Sequence, residues 1–127
     1  MLAEARAVAY GDPFYLGSLT GNTNSRGFPR HVRRFHAAFL ALPALPSEVV
    51  ANAASDAAVV VRAIRTEKHG TYVAIVNTGF EAKRNVSVKL PATGTVHDGV
   101  TGEEAPVSGG TLTLTLDPAE LRTLRVR

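Results

Sequence analysis

The chain contains no cysteine, which excludes disulfides, thiolate metal sites and a cysteine nucleophile. It has no tryptophan, and beyond residue 48 its aromatics are Tyr72 and Phe80 alone, so the coplanar rings of a polysaccharide-binding platform are scarce. No apolar run approaches the roughly 20 residues needed to span a bilayer, and no membrane partner is expected. The opening MLAEARAVAYGDP lacks the basic start and small-residue cleavage site of a signal peptide. It reads as the start of a soluble chain, with any export signal upstream in a longer, secreted or periplasmic parent. An excess of one charge is nearly absent too. Fourteen Lys and Arg against eleven Asp and Glu leave +3, and the excess is local: Arg6, Arg26, Arg30, Arg33 and Arg34 face only Glu4 and Asp12 before residue 48, while nine bases meet nine acids from residue 48 onward. A nucleic-acid partner would need a basic face on the folded body, and that body is neutral.

What is present divides at LPALPSE, residues 42–48. Pro43 and Pro46 remove backbone donors and push the residues before them out of helical geometry, so a helix stops by about Leu42. Before this point Phe28, Val32, Phe35, Phe39 and Leu42 recur at spacings of four, three, four and three, one apolar stripe of an α-helix. After it the period changes to two. Residues 57–66 and 71–78 read as strands joined across EKHG, a hairpin connection. NVSVKL (85–90), GTVHD (94–98), TLTLTL (111–116) and LRTLRVR (121–127) follow as strands, and VVANA (49–53) adds an edge. In DPAE, between the last two, Asp117 suits a helical cap, Pro118 a first helical position, and Glu120 can reach back to the cap. The predicted fold is mainly β: an antiparallel β-sandwich of about six to eight strands with an N-terminal helical segment. Residues 1–47 form the loop and amphipathic helix, and residues 48–127 the sandwich.

Candidate chemistry is thin. His31 and His36 lie about 140° apart on a helical wheel, whereas helical metal pairs use spacings of three or four; His69 falls in a turn and His97 at a strand end. No metal and no cofactor are expected. Arg30, Arg33 and Arg34 cluster opposite the phenylalanines, either a phosphate ridge or the solvated or domain-facing side of the helix, and the second reading is preferred. Asp56, Glu67, Glu81, Asp98, Glu103, Glu104 and Asp117 fall in turns and strand ends, where acids serve local hydrogen bonds. No acid/base pair emerges, and no catalytic residue is assigned. The polar loop GSLTGNTNSRG (17–27) offers Asn22, Asn24 and Arg26 to a hydroxylated ligand. Asn85-Val-Ser87 matches a glycosylation acceptor but falls in a strand.

The phrases YVAIVN (72–77), V-x-L-P (Val88, Leu90, Pro91), V-x-D-x-x-T-G-E (Val96, Asp98, Thr101, Gly102, Glu103) and L-x-P-x-E-L-R-x-L (Leu116, Pro118, Glu120, Leu121, Arg122, Leu124) are similar to those of the small all-β domain that follows the (β/α)8 barrel of multidomain glycoside hydrolases. The resemblance covers Pro43–Arg127. It implies a non-catalytic accessory domain, with the Phe28–Leu42 helix similar to the last barrel helix and the loop holding Asn22, Asn24 and Arg26 on the substrate side. No barrel catalytic acid matches a residue of this chain. The resemblance implies a catalytic barrel of the parent chain as partner, to which Phe28, Val32, Phe35 and Phe39 would present an interdomain surface. The same stripe would otherwise serve self-association into a homo-oligomer, since an exposed apolar face of this size needs cover. A carbohydrate-binding module gripping a poly- or oligosaccharide is the alternative.

Overall fold

The computed structural model describes residues 2–11 and 30–127. Among the described residues two helices, α1 (Leu2–Tyr10) and α2 (Arg30–Leu40), precede seven strands: β1 (Glu48–Val49), β2 (Val59–Arg65), β3 (Thr71–Asn77), β4 (Lys83–Lys89), β5 (Val96–Asp98), β6 (Thr111–Leu116) and β7 (Leu121–Val126). The strands form two antiparallel sheets, β1-β2-β3-β7-β5 and β4-β6. This is the expected β-sandwich.

Alternation explains the smaller sheet. Val86 and Val88 of β4 and Leu112 and Leu116 of β6 are buried, while Ser87, Lys89, Thr113 and Thr115 are exposed. Their inward side chains meet Val59, Val61, Val73, Ile75, Leu124 and Val126 of the larger sheet in one core. That larger sheet is different: β2, β3 and β7 are buried on both faces. Its second face carries Ile64, Ala74, Val76 and Leu121, which form another core with Ala5, Val8 and Ala9 of α1 and Phe35 and Ala38 of α2. The architecture is therefore three layers, helices on sheet on sheet.

The hairpin between β2 and β3 is closed by Thr66, whose N–H and hydroxyl both donate to Gly70 O. Gly70 sits at φ +82°, and a Cβ there would lie 2.1 Å from Val126 O, so only glycine fits this turn. β1 is shorter than VVANA suggests. After Val49 the chain bends away, and Asn52 takes φ +54°. The segment then returns beside β4, where Lys89 N–H donates to Ala53 O and Ser55 N–H to Ser87 O.

Candidate functional site

The polar residues of the chain's distinctive motifs gather where α2 crosses the corner between β6 and β7. Asp117-Pro118-Ala119-Glu120 makes that corner as a turn and not as the expected helical one, since Ala119 takes φ +55°; Glu120 reaches back as expected, its Oε2 accepting from Asp117 N–H at 2.6 Å. Asn77, at the end of β3 and fully buried, pins it from below. Its Nδ2 donates to Asp117 O at 2.9 Å and to Glu81 O at 2.8 Å, and its own N–H donates to Glu120 O at 3.0 Å. A buried amide must satisfy its donors, and Asn77 does so by tying three segments together.

Above the corner lies Arg34 of α2. Its guanidinium donates to Glu120 Oε1 at 3.0 Å and to Asp117 Oδ2 at 3.3 Å. Glu120 Oε1 also accepts from Arg122 Nη2 at 3.1 Å, and Arg122 Nη1 stands 3.8 Å from Asp98 Oδ2. The side chain of Glu120 is only 11% exposed, so its pairs are less screened than ordinary surface pairs. Asp98 closes its own turn as well, accepting from Val100 N–H and Thr101 N–H at 2.8 and 2.9 Å. Deeper in the seam the buried Thr123 hydroxyl donates to Ala38 O at 2.6 Å, fastening strand to helix. On the other helix, buried Arg62 donates to Ala9 O at 3.1 Å, at the C-terminal turn of α1, and to Ser47 O and Oγ. A cation suits that position, where the helix carbonyls lack partners.

Between α2 and the β5–β7 edge runs an open groove of about 310 Å³, lined by Arg30, Arg34, Ala37, Asp98, Thr101 and Arg122 among others. Its acids are occupied: both oxygens of Glu120 accept hydrogen bonds, and Asp98 shares its oxygens between backbone amides and Arg122. What the arrangement does is hold α2 on the sheet. Asp56 accepts from Ala58 N–H at 2.8 Å and pairs with Lys83 Nζ at 3.3 Å; that amide above all, opposed by burial and helped by Lys83, holds its carboxyl below the usual carboxylate range.

Of the residues singled out above, Asn22, Asn24, Arg26 and Phe28 lie outside the described residues. Phe35 is buried, Val32 and Phe39 are half-buried, and all three are on α2. Arg30 and Arg33 are exposed, whereas Arg34 pairs with Asp117 and Glu120 in a latch that holds α2 on the corner. His31 borders a small cleft with Arg34 and Asp117, and His97 Nδ1 lies 3.2 Å from Gly102 O. Among the described residues no three His, Asp or Glu side chains are placed to hold a metal ion, and no helix is long and apolar enough to cross a membrane. Tyr72 and Phe80 stand at opposite ends of β3, Tyr72 under the Arg125 guanidinium at 5.5 Å and Phe80 76% exposed. Asn85 is exposed with φ +53°, at the bulge where β4 shifts register. Arg62, Asn77 and Thr123 were missed in the sequence. A polar residue interrupting an otherwise apolar strand was the available signal.

No family model matches the chain, and no curated protein does. Solved structures do. AmyP E221Q in complex with maltotriose is similar at a TM-score of 0.50 and 16% identity over 65% of this chain, and AmyP in complex with maltose at 0.49 and 16% over 63%. A Bacteroides fragilis chain assigned as an alpha-galactosidase/melibiase gives 0.47 and 14% over 57%. Each match covers 16% of that chain's own length. At such identities the likeness is one of fold.

Proposed function

We propose that this chain is the C-terminal accessory sandwich of a glycoside hydrolase, contributes no catalytic group, and packs against the hydrolase's catalytic barrel. The observation that carries the reading is the fate of the motif residues. Asn77, Asp98, Glu120 and Arg122 are spent on pinning one corner and holding α2 there. The sandwich fold shared with AmyP E221Q, whose structure holds maltotriose, is the second support, and the step from fold to activity is by analogy. The division at residue 48 belongs to the same proposal: residues 1–47 are the adapter through which the sandwich meets the barrel.

The coding frame upstream of Met1 is the first test, and a frame without a barrel would sink the reading. The joined polypeptide is then compared with one lacking residues 48–127. A lower melting temperature with turnover per folded molecule retained is expected, whereas glycosidase turnover by this chain alone would overturn it. Phe80, 76% exposed, favours a second reading in which the sandwich itself grips polysaccharide. Calorimetry against a polysaccharide panel decides between them, since saturable binding lost in Phe80→Ala would replace the first reading with the second.

A further inference from the structure

β6 ends its sheet with backbone groups turned away from every other described strand. Its register on β4 sets Leu112 against Val88 and Leu114 against Val86, and Leu90 N–H donates to Gly110 O in the same phase. Hydrogen-bonded pairs recur every second residue in an antiparallel ladder. Gly110, Leu112 and Leu114 therefore turn their N–H and C=O toward β4, and Thr111, Thr113 and Thr115 turn theirs outward. Thr111 is already engaged, exchanging both bonds with Ser108 across the Gly109-Gly110 turn. Thr113 and Thr115 remain, both exposed.

The opposite edge of this sheet is covered by residues 53–55. Open edges are ordinarily blunted by lysine, proline or a bulge. TLTLTL itself has none of these and no charge of any kind; the bulge of this sheet lies on β4, between Lys83 and Val86.

We propose that β6 pairs with β6 of a second copy of this chain about a two-fold axis, joining two two-stranded sheets into one of four strands. The sequence is self-complementary in antiparallel pairing. With the axis at Leu114, Thr113 faces the second copy's Thr115 and Leu112 faces its Leu116, so threonine meets threonine on the outer face and leucine meets leucine on the inner. Shifting by one residue would place threonine against leucine and mix the faces. An axis at Thr113 keeps the faces but sets Thr115 against Thr111, whose groups Ser108 already holds. The axis at Leu114 thus makes four intermolecular hydrogen bonds where the alternative makes two. No like charges meet across it, and the half-buried Leu114 gains cover. A two-stranded ribbon is the marginal form of sheet, and adding strands to it is stabilising.

Sedimentation of the full chain over a concentration series is expected to show conversion to twice the 13.4 kDa mass. Hydrogen exchange reads the register directly. Thr113 and Thr115 amides exchange roughly tenfold or more slowly in the concentrated sample than in the dilute one, while Leu112 and Leu114 amides stay protected in both. Thr113→Pro removes an N–H that β4 does not use and is expected to give monomer. Leu114→Cys places a single thiol opposite itself at a position where Cα atoms approach to about 4.5 Å, within disulfide reach, so mild oxidation yields a covalent dimer. A chain that stays monomeric with freely exchanging Thr113 and Thr115 amides overturns the proposal. So does a dimer whose Thr113 and Thr115 amides exchange freely and which Phe39→Ala dissociates, because association then runs through α2.

Discussion

The two faces of the large sheet are covered in different ways. Toward β4 and β6 the core is built from Val, Ile and Leu drawn from strands throughout the domain, with Ala53 as its one buried alanine and Ala54, Ala92 and Ala105 at its margin. Toward the helices, five of the eleven buried residues are alanines, at 5, 9, 38, 74 and 119. Small side chains let a helix lie close to the sheet but bury little apolar area each. The helix side adds polar bonds from helix to sheet: Thr123 on Ala38 O, Arg62 on Ala9 O, and Arg34 on Asp117 and Glu120. One side is held by shape, and the other by one large anchor, Phe35, with polar fasteners around it.

That contrast can be broken most directly at the anchor. Phe35→Ala is expected to cost about 3–5 kcal/mol in urea unfolding. If helix signal and sandwich signal are then lost in separate transitions, the helices are a separable layer; one shared transition makes the three layers a single cooperative unit. Thr123→Val keeps the volume but orphans a buried carbonyl, and a loss of about 1–3 kcal/mol is expected, with little change at Thr113→Val on the exposed face of β6. Glu120→Gln weakens both arginine pairs at once. About 1 kcal/mol is expected because Arg34 is half exposed, and the difference from wild type should shrink in high salt. An unchanged salt response would show that the latch works through packing. The smallest effect belongs to Asp56. Its folded pKa is lowered, so its contribution is present above the unfolded value of about 3.9 and is lost as pH falls through the folded value below it. Wild type and Asp56→Asn should therefore differ in melting temperature at pH 7 and converge as pH is lowered below about 3.9.

The strands were legible because alternation is local. NVSVKL and TLTLTL each state which side chains turn inward without reference to anything else, and β4 and β6 lie on those residues. The reach-back of Glu120 at the DPAE corner was legible for the same reason, since that bond spans three residues, whereas the helical turn expected there is an ordinary turn with Ala119 at φ +55°. Helix α1 was not. Its nine residues, LAEARAVAY, carry a weak stripe of small side chains, and a segment this short folds only against a surface supplied from elsewhere. The latch was not legible either, because Arg34 reaches Asp117 and Glu120 across 83 and 86 positions. Charges at that separation leave no periodic trace.

By itself, then, the sequence determined the elements, their inward faces and the tight corner, all set by sterics and hydrogen bonds within a few residues. The tertiary structure decided that the large sheet is covered on both faces and that the motif residues of three distant segments converge with Arg34 as fasteners. It also decided that the backbone groups of Thr113 and Thr115 face no other described strand. Those outcomes depend on which strand lies beside which, and that is settled only when the whole apolar surface finds cover at once.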